Sequence, residues 1–329
     1  MSEHSADRRR FLRTAAAGTA LTSIAAIPAA AAPALAAPAA AAPSPRRGTA
    51  KRQTATLRWL GTSGWRIDVG ARTLLIDPYV TRFPTGLFTG AFDPATALTV
   101  DKAAVAAHVG KPETVFVTHT HWDHFNDVPT VAATTGARVF GTLTAYHLGL
   151  ASGVPAAQLS PVKGGEVLDF VDYSVEVVAA LHSRNAAYSM AFPGVRTSPP
   201  SPAPRTIADL PEGDTLSYQV TVTGGPSVFF MGASDFVERN LKGLNPDVAM
   251  LALPSSTATH DYVPRLIEAL DRPAVVVPVH WDNFEAPLQN PPVVAPADAE
   301  RLDAFEAAIR QAAPRTTILR PQYATPYTF

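Results

Sequence analysis

The residues best suited to chemistry lie together in one stretch, Thr118-His119-Thr120-His121-Trp122-Asp123-His124-Phe125. Three histidines and one aspartate fall within the six residues from His119 to His124. In an extended chain His119 and His121 point the same way, because side chains alternate with a period of two. Imidazole nitrogens and a carboxylate oxygen are donors that zinc prefers. The stretch therefore predicts a metal site. For any one of the three histidines considered alone, the alternative is a solvated loop residue without a ligand role.

A short buried strand is expected to deliver this stretch. The preceding residues, Glu113-Thr114-Val115-Phe116-Val117, are rich in β-branched and aromatic side chains. They are bounded upstream by Gly110-Lys111-Pro112, which favours a turn. Four potential ligands therefore leave the end of one strand together, and Asp123 and His124 follow as the chain bends.

The pattern His-x-His-x-Asp-His after a hydrophobic strand resembles the metal-binding signature of the metallo-β-lactamase-fold hydrolases. The resemblance extends in order over nearly all of the chain from residue 54. It implies an α/β fold, an αββα sandwich in which two mixed β-sheets pack face to face and helices cover them outside. Residues 61–77 and the spacing of the later histidines are most similar to the group that contains ascorbate-6-phosphate lactonase and N-acyl-phosphatidylethanolamine phospholipase D.

The resemblance also implies a binuclear centre, with two Zn²⁺ per chain. Two later histidines complete it, each just past a predicted strand: His182 after residues 173–180, and His280 after residues 274–279. Asp77 ends another predicted strand and would support the site without binding metal; a turn-initiating Asp-Pro is the alternative. The implied ligands are His119, His121 and His182 for one ion and Asp123, His124 and His280 for the other.

The chain departs from the family pattern at the carboxylate that bridges the two ions. Relatives usually place an aspartate directly after the glycine that ends the strand, and here Gly232 is followed by Ala233. Asp235 comes two residues later, and a bulge or tight turn would be needed to aim it at the metals. We expect Asp235 to bridge; if it does not, the second ion is bound more weakly, or only one ion is bound.

Two divalent ions would lower the pKa of a shared water to near neutrality and supply hydroxide, so that no serine or cysteine nucleophile is needed. The resemblance therefore implies a hydrolase for a phosphodiester, lactone or related ester, with Asp123 both ligand and catalytic residue. His260 is the candidate proton donor to the leaving group, or else a residue near a helix cap without a chemical role. The alternative function is a catalytically weak or inactive module that binds a metal or ligand.

Aromatic residues near the motif suggest a substrate surface. Trp122 and Trp281 follow His121 and His280 in similar pentapeptides, and we expect both to flank the metals. Residues 79–98 form a long loop rich in aromatic and aliphatic side chains, which either pack on the body of the protein or form one wall of a cleft. The second arrangement would suit a small-molecule or lipid-like ester.

The first fifty residues do not resemble a folded domain. Arg8-Arg9-Arg10-Phe11-Leu12-Arg13 followed by an alanine-rich run resembles a twin-arginine export signal. Three prolines interrupt the run, so a stable membrane-spanning helix is not expected. The predicted organisation is a signal peptide at residues 1–42, a linker at 43–53 and a hydrolase domain at 54–329, exported to the periplasm or the exterior.

Composition limits which classes of partner the protein can bind and which residue types can bind a metal. The 329-residue chain has a formal net charge of −1, and 17% of its residues are charged. This composition lacks the excess of basic residues that is typical of nucleic-acid-binding proteins. There is no cysteine, which excludes disulfides, thiolate metal sites and a cysteine nucleophile. Metal ligands must therefore be His, Asp or Glu. No pattern in the sequence indicates a particular oligomeric state.

Overall fold

The computed structural model describes residues 53–329. The predicted export signal at 1–42 lies outside the described residues, as does the predicted linker apart from Gln53. Within residues 53–329, no helix has both the length and the apolar character needed to cross a bilayer.

The first β-sheet has seven strands and carries the N-terminal half of the site. Its order is β14-β1-β2-β3-β4-β5-β6, antiparallel from β14 to β3 and parallel from β3 to β6. The strands are β1 (Ala55–Gly61), β2 (Gly64–Val69), β3 (Arg72–Ile76), β4 (Thr114–Phe116), β5 (Arg138–Gly141), β6 (Leu159–Pro161) and β14 (Pro326–Thr328).

The second β-sheet also has seven strands and is likewise mixed. Its order is β13-β12-β11-β10-β9-β8-β7, antiparallel from β7 to β10 and parallel from β10 to β13. The strands are β7 (Val167–Asp169), β8 (Tyr173–Ala180), β9 (Thr215–Val222), β10 (Ser227–Met231), β11 (Val248–Ala252), β12 (Val275–Val279) and β13 (Thr317–Ile318).

Seven α-helices connect or cover the strands among residues 53–329. The longest, α7, begins at Pro296, a residue suited to the first helical turn because its missing N–H needs no partner there. The helices are α1 (Lys102–Val109), α2 (Trp122–Phe125), α3 (Val128–Thr135), α4 (Leu143–Ala151), α5 (Glu238–Leu241), α6 (Tyr262–Ala269) and α7 (Pro296–Ala312).

The two sheets pack face to face. Trp65 of β2 lies 6.5 Å from Phe230 of β10 between ring centroids, and Phe116 of β4 lies 5.2 Å from Tyr218 of β9. Besides the hydrophobic core between the sheets, a separate hydrophobic cluster, which includes Leu60, joins the outer face of the first sheet to the helices α1, α3 and α4. Helices α6 and α7 pack beside the second sheet. The predicted αββα sandwich is therefore confirmed.

Candidate metal centre

The metal-binding stretch leaves β4 between the two sheets, and backbone hydrogen bonds with β9 and the segment before it hold it there. The amide of Leu216 donates to the carbonyl of Thr118 at 2.8 Å, and the amide of Thr120 donates to the carbonyl of Glu212 at 3.0 Å. His182 follows the end of β8, and His280 follows the end of β12. Segments that are far apart in sequence thus meet at one edge of the sandwich.

The first group of candidate ligands consists of His119, His121 and His182. Their candidate ligand atoms all lie within 4.8 Å of one another, and their ring centroids are 4.6–4.8 Å apart. His121 Nε2 lies 2.9 Å from the carbonyl oxygen of Ala191, and His182 Nδ1 lies 2.8 Å from that of Ser183. Each of these contacts orients the ring and leaves its other nitrogen free for a metal.

Burial keeps these three imidazoles neutral. It lowers the pKa of His121 to about 3 and that of His182 to about 4, and it lowers the pKa of His119 well below its usual value. A neutral imidazole is the form that binds a metal ion. The first group is therefore ready for a cation at neutral pH without losing protons.

The second group consists of Asp123, His124 and His280. His280 Nε2 lies 3.2 Å from Asp123 Oδ2, and His124 Nε2 lies 3.4 Å from the same oxygen. Burial opposes the charge on Asp123, but His124 and His280 outweigh it and hold the pKa of that carboxyl well below its usual range. Burial also opposes the charge on His124, but Asp123 and Asp77 outweigh it and raise the pKa of His124 to about 10.

These residues fit a metal ion. His124 Nε2 is buried and has no hydrogen-bond partner of good geometry among the described residues. An unpaired buried nitrogen is costly, and a metal at this point would satisfy it. Two buried carboxylates, Asp123 and Asp77, also face His124, so the pocket favours positive charge. Histidine and aspartate donors in groups of three suit zinc better than calcium or magnesium.

Asp77 lies behind His124, at the place that the resemblance implies. Its carboxylate accepts hydrogen bonds from the amide of Thr118 at 2.7 Å, from Thr118 Oγ1 at 2.5 Å and from His124 Nδ1 at 2.8 Å. This fixes the tautomer of His124 and aims its Nε2 at the second group. Gly232 is needed beside it, because a Cβ there would come within 2.0 Å of Thr118 Oγ1.

The structure does not bring Asp235 into either ligand group. The chain bends across residues 232–234, so the alternation of side chains along β10 does not extend to Asp235. Its Oδ1 accepts a hydrogen bond from the amide of Phe236 at 2.8 Å, and burial raises the pKa of this carboxyl. Ala233 occupies the position directly after the strand-end glycine. The expected bridging carboxylate therefore has no support in the geometry.

Two other predicted site residues also lie away from the ligand groups. His260 has 84% of its side chain exposed and contacts Asp261 at 3.2 Å, so it is not placed to donate a proton at the centre. Trp281 stacks on Trp59 at 5.1 Å and donates its indole N–H to the carbonyl of Pro278, so it belongs to the core.

Trp122, by contrast, belongs to a wall of aromatic rings beside the ligands, called the aromatic wall below. Neighbouring rings in it lie 4.9–6.3 Å apart between centroids. It begins 6.2 Å from the ring of His121 and ends 5.4 Å from that of His280, so it runs past both groups. Its members are Phe88, Phe92, Trp122, Phe192 and Phe284.

The sequence allowed the aromatic side chains of the loop at residues 79–98 either to pack on the body of the protein or to form a wall of a cleft. The structure shows both arrangements. Phe83 is buried in the body against Tyr79, whereas Phe88 and Phe92 join the aromatic wall. Phe192 was not singled out from the sequence. The signal available for it is Met190-Ala191-Phe192, an apolar run within an otherwise polar and proline-rich loop.

Two cavities reach the centre from different sides. The His182 cavity has a volume of about 680 Å³ and includes Arg184 and Met190 in its lining. The His280 cavity has a volume of about 300 Å³ and includes Ala233 and Phe284. Because Ala233 lines this second cavity, the position of the missing carboxylate opens onto space beside His280. His260 lines neither cavity.

Comparison with known proteins agrees with this geometry. Residues 72–281 match the family described as the beta-lactamase superfamily domain. A UPF0173 metal-dependent hydrolase of Methylobacterium nodulans is 29% identical over 258 residues, which cover 77% of this chain and 91% of the relative. Another from Pyrobaculum arsenaticum is 26% identical over 236 residues, which cover 71% of this chain and 88% of the relative.

A solved structure shows the same fold. Igni18, described as a novel metallo hydrolase from the archaeon Ignicoccus hospitalis, superposes with a TM-score of 0.53 and 21% identity. The match covers 84% of this chain and 98% of Igni18. With its two mixed sheets and a family match over residues 72–281, the chain belongs to the beta-lactamase superfamily and has the metallo-β-lactamase fold.

Proposed function

We propose that the protein is a metal-dependent hydrolase whose two ligand groups each hold a zinc ion, and that it cleaves a lactone, phosphodiester or related ester. The observation that carries the proposal is the pair of groups, His119–His121–His182 and Asp123–His124–His280, each with its donor atoms within 4.8 Å. The names of the relatives, which are metal-dependent hydrolases, support it. When bound, two such ions supply Lewis acidity that activates water and polarises the scissile bond.

The residues of the chain have separate tasks in this proposal. Asp123 lies 3.4 Å from His124 and 3.2 Å from His280, so its carboxylate is placed to bind the second ion and is the candidate to accept a hydrogen bond from the attacking water. Asp77 holds His124 in one tautomer. The aromatic wall excludes bulk water from one side of the centre, which strengthens the electrostatic interactions within it.

The aromatic wall also supports an apolar group in the substrate. Phe92 keeps 37% of its surface exposed beside the buried ring of Trp122, so an apolar ligand group would remove the exposed face of Phe92 from water. This arrangement suits an ester with an acyl or aryl chain next to the hydrolysed bond. It is consistent with the proposed likeness to the group of ascorbate-6-phosphate lactonase and N-acyl-phosphatidylethanolamine phospholipase D.

A second candidate function is a module that binds a metal or a ligand with weak or no catalysis. The position of Asp235 outside both groups favours it, because no carboxylate then joins the two ions. The His280 cavity would in this case hold a ligand rather than a reacting substrate.

Turnover by a ligand variant separates the two functions. The chain from residue 43 onward, which comprises the predicted linker and hydrolase domain, would be loaded with zinc and assayed on p-nitrophenyl acetate, bis-p-nitrophenyl phosphate and a γ-lactone. Replacing an outer contact of a metal ligand typically lowers metal affinity or activity by about 10–100-fold. Because His121 is itself a candidate ligand, His121→Ala should lower kcat/KM by more than about 100-fold. His108→Ala in α1, outside both groups, should not. Unchanged turnover in His121→Ala contradicts the hydrolase; two bound ions without turnover of any substrate favours the binding module.

We also propose that the protein is exported through the twin-arginine pathway and acts in the periplasm or outside the cell. The support is the sequence Arg8-Arg9-Arg10-Phe11-Leu12-Arg13 before an alanine-rich run. Replacing Arg8 and Arg9 together by lysine should retain the protein in the cytoplasmic fraction of a bacterial host. Equal export of the variant and the unaltered chain would contradict this route.

A further inference from the structure

We propose that Asp282 is a positioning residue that holds His280 in place for the second metal ion. It does so by tying the turn after β12 to the turn after β1. The inference rests on the two-ion centre proposed above and assigns roles in it to Thr62, Arg82 and Tyr323. The four residues Thr62, Arg82, Asp282 and Tyr323 are called the brace below.

His280 has a backbone conformation that must be held from outside. Its φ angle is 62°, in the left-handed region that residues with a side chain adopt only at a cost. Its amide donates to the carbonyl of Thr62 at 2.9 Å. Thr62, in the turn between β1 and β2, also has a positive φ, of 51°. Two strained turns from different sheets therefore face each other.

Asp282 closes the link between these turns. Its Oδ1 accepts a hydrogen bond from the amide of Thr62 at 2.9 Å, so Thr62 binds both His280 and Asp282. Its Oδ2 accepts a hydrogen bond from the Tyr323 hydroxyl at 2.8 Å and lies 3.5 Å from the Arg82 guanidinium. The Asp282 side chain is fully buried, so its charge must be matched by these partners.

Arg82 supplies the opposite charge from a fixed position. Its Nη2 donates to the carbonyl of Leu60 at 2.9 Å, and its guanidinium lies 5.1 Å from the ring centre of Tyr79. Gly61 makes room for it, because a Cβ there would lie 1.9 Å from Arg82 Nη2 and 2.9 Å from Asp282 Oδ2. The turn after β1 is thus shaped around this ion pair.

The brace matters for the metal because the second ligand group is divided between the sheets. Asp123 and His124 follow β4 of the first sheet, whereas His280 follows β12 of the second. The distance of 3.2 Å between His280 Nε2 and Asp123 Oδ2 therefore depends on how the two turns are held together. Metal ligands must be held within about 0.5 Å of their productive places. Among the described residues, no hydrogen bond or ion pair joins the first group to the brace.

The test compares zinc affinity at the two sites by titration against a competing chromogenic chelator. Asp282→Asn keeps the size of the side chain but removes its charge, and Tyr323→Phe removes only one hydrogen bond. We expect the affinity for the ion held by the first group to be unchanged in both variants. The affinity for the second ion should fall at least about 10-fold in Asp282→Asn, as is typical when an outer contact is lost. In Tyr323→Phe it should also fall, but by a smaller factor.

Glu306→Gln is the matched control for lost stability. Glu306 of α7 is a buried carboxylate paired with Arg310 of the same helix and with Arg320, which follows β13; neither ion pair includes a residue of the ligand groups. Urea unfolding should show a loss of stability in this variant while both ions stay bound. A weaker second ion in this control as well would make the effect one of general stability and overturn the proposal.

The remaining outcomes separate the brace from the proposed function. If the unaltered protein binds two ions and Asp282→Asn binds both with unchanged affinity, Asp282 does not position His280. If the unaltered protein binds fewer than two ions, the two-ion centre is wrong, and the brace loses its role with it. If Asp282→Asn does not fold, Tyr323→Phe decides: unchanged affinity for the second ion in that variant overturns the proposal.

Discussion

At the scale of single residues, the outer contacts of three candidate ligands distinguish them from His260. His124 hydrogen-bonds Asp77 through Nδ1, His121 contacts the carbonyl of Ala191, and His182 contacts the carbonyl of Ser183. Each of these rings thereby presents one free nitrogen to the centre. His260 contacts only its exposed neighbour Asp261. Residue type alone does not reveal this difference, because it depends on what the second nitrogen touches.

The same scale yields a prediction about the missing bridge. Asp235→Ala should leave the zinc content unchanged, because its carboxylate binds its own turn rather than a ligand group. Ala233→Asp should place a carboxylate in the His280 cavity and tighten the second ion by about 10-fold. Elemental analysis and chelator competition measure both effects. Loss of an ion in Asp235→Ala would show that Asp235 bridges the metals after all.

At the scale of elements, the loop of residues 79–98 and the turn after β12 behave as one unit. Glu285 accepts hydrogen bonds from the amides of Thr85 and Leu87, at 2.9 and 3.1 Å, and from the hydroxyl of Thr85. The segment that carries His280 therefore also anchors the loop that carries Phe88 and Phe92. This explains how a loop with little regular structure presents aromatic rings at a fixed distance from the ligands.

Phe92 is the member of the aromatic wall best suited to a test of substrate contact, because it is partly exposed. Phe92→Ala should lower kcat/KM for p-nitrophenyl decanoate by roughly 10-fold, since it removes about 1–2 kcal/mol of apolar contact. Turnover of the acetate should hardly change. Val171→Ala, at an exposed turn before β8, is the control. Equal loss on both esters would contradict a role in binding the chain.

At the scale of the whole molecule, the candidate ligands join the two sheets. One group combines His119 and His121, which follow β4, with His182, which follows β8. The Tyr218 hydroxyl of β9 also donates to the carbonyl of Val117 at 2.7 Å, which fixes the sheets at the same point. A metal held by residues of both sheets binds only the folded chain, so its binding free energy adds to the free energy of unfolding.

Removal of metal should therefore lower the melting temperature. With free zinc about 1,000-fold above Kd, binding contributes about 4 kcal/mol, which corresponds to roughly 10 °C for a domain of this size. The measurement is a thermal melt before and after dialysis against a chelator, with recovery when zinc is returned. His121→Ala should show a smaller shift than the unaltered protein. Identical melts with and without zinc would contradict a metal shared by the two sheets.

The sequence by itself determined the region of the centre, and it predicted the αββα sandwich through the family resemblance. The region of the centre follows from local patterns: β-branched strands, the residues that end them, and donor residues at 119–124 with the alternation of an extended chain. Such features survive without tertiary information because they depend on neighbours within a few residues.

Only the tertiary structure decided which residues join the centre. After the bend across residues 232–234, Asp235 lies in neither ligand group, and packing against Trp59 takes Trp281 into the core. Phe192 reaches His121 from a loop 71 residues further along the chain. The link between Asp282 and Thr62 spans 220 residues. These outcomes depend on turn conformations and on contacts between the two sheets, and local periodicity carries no information about either.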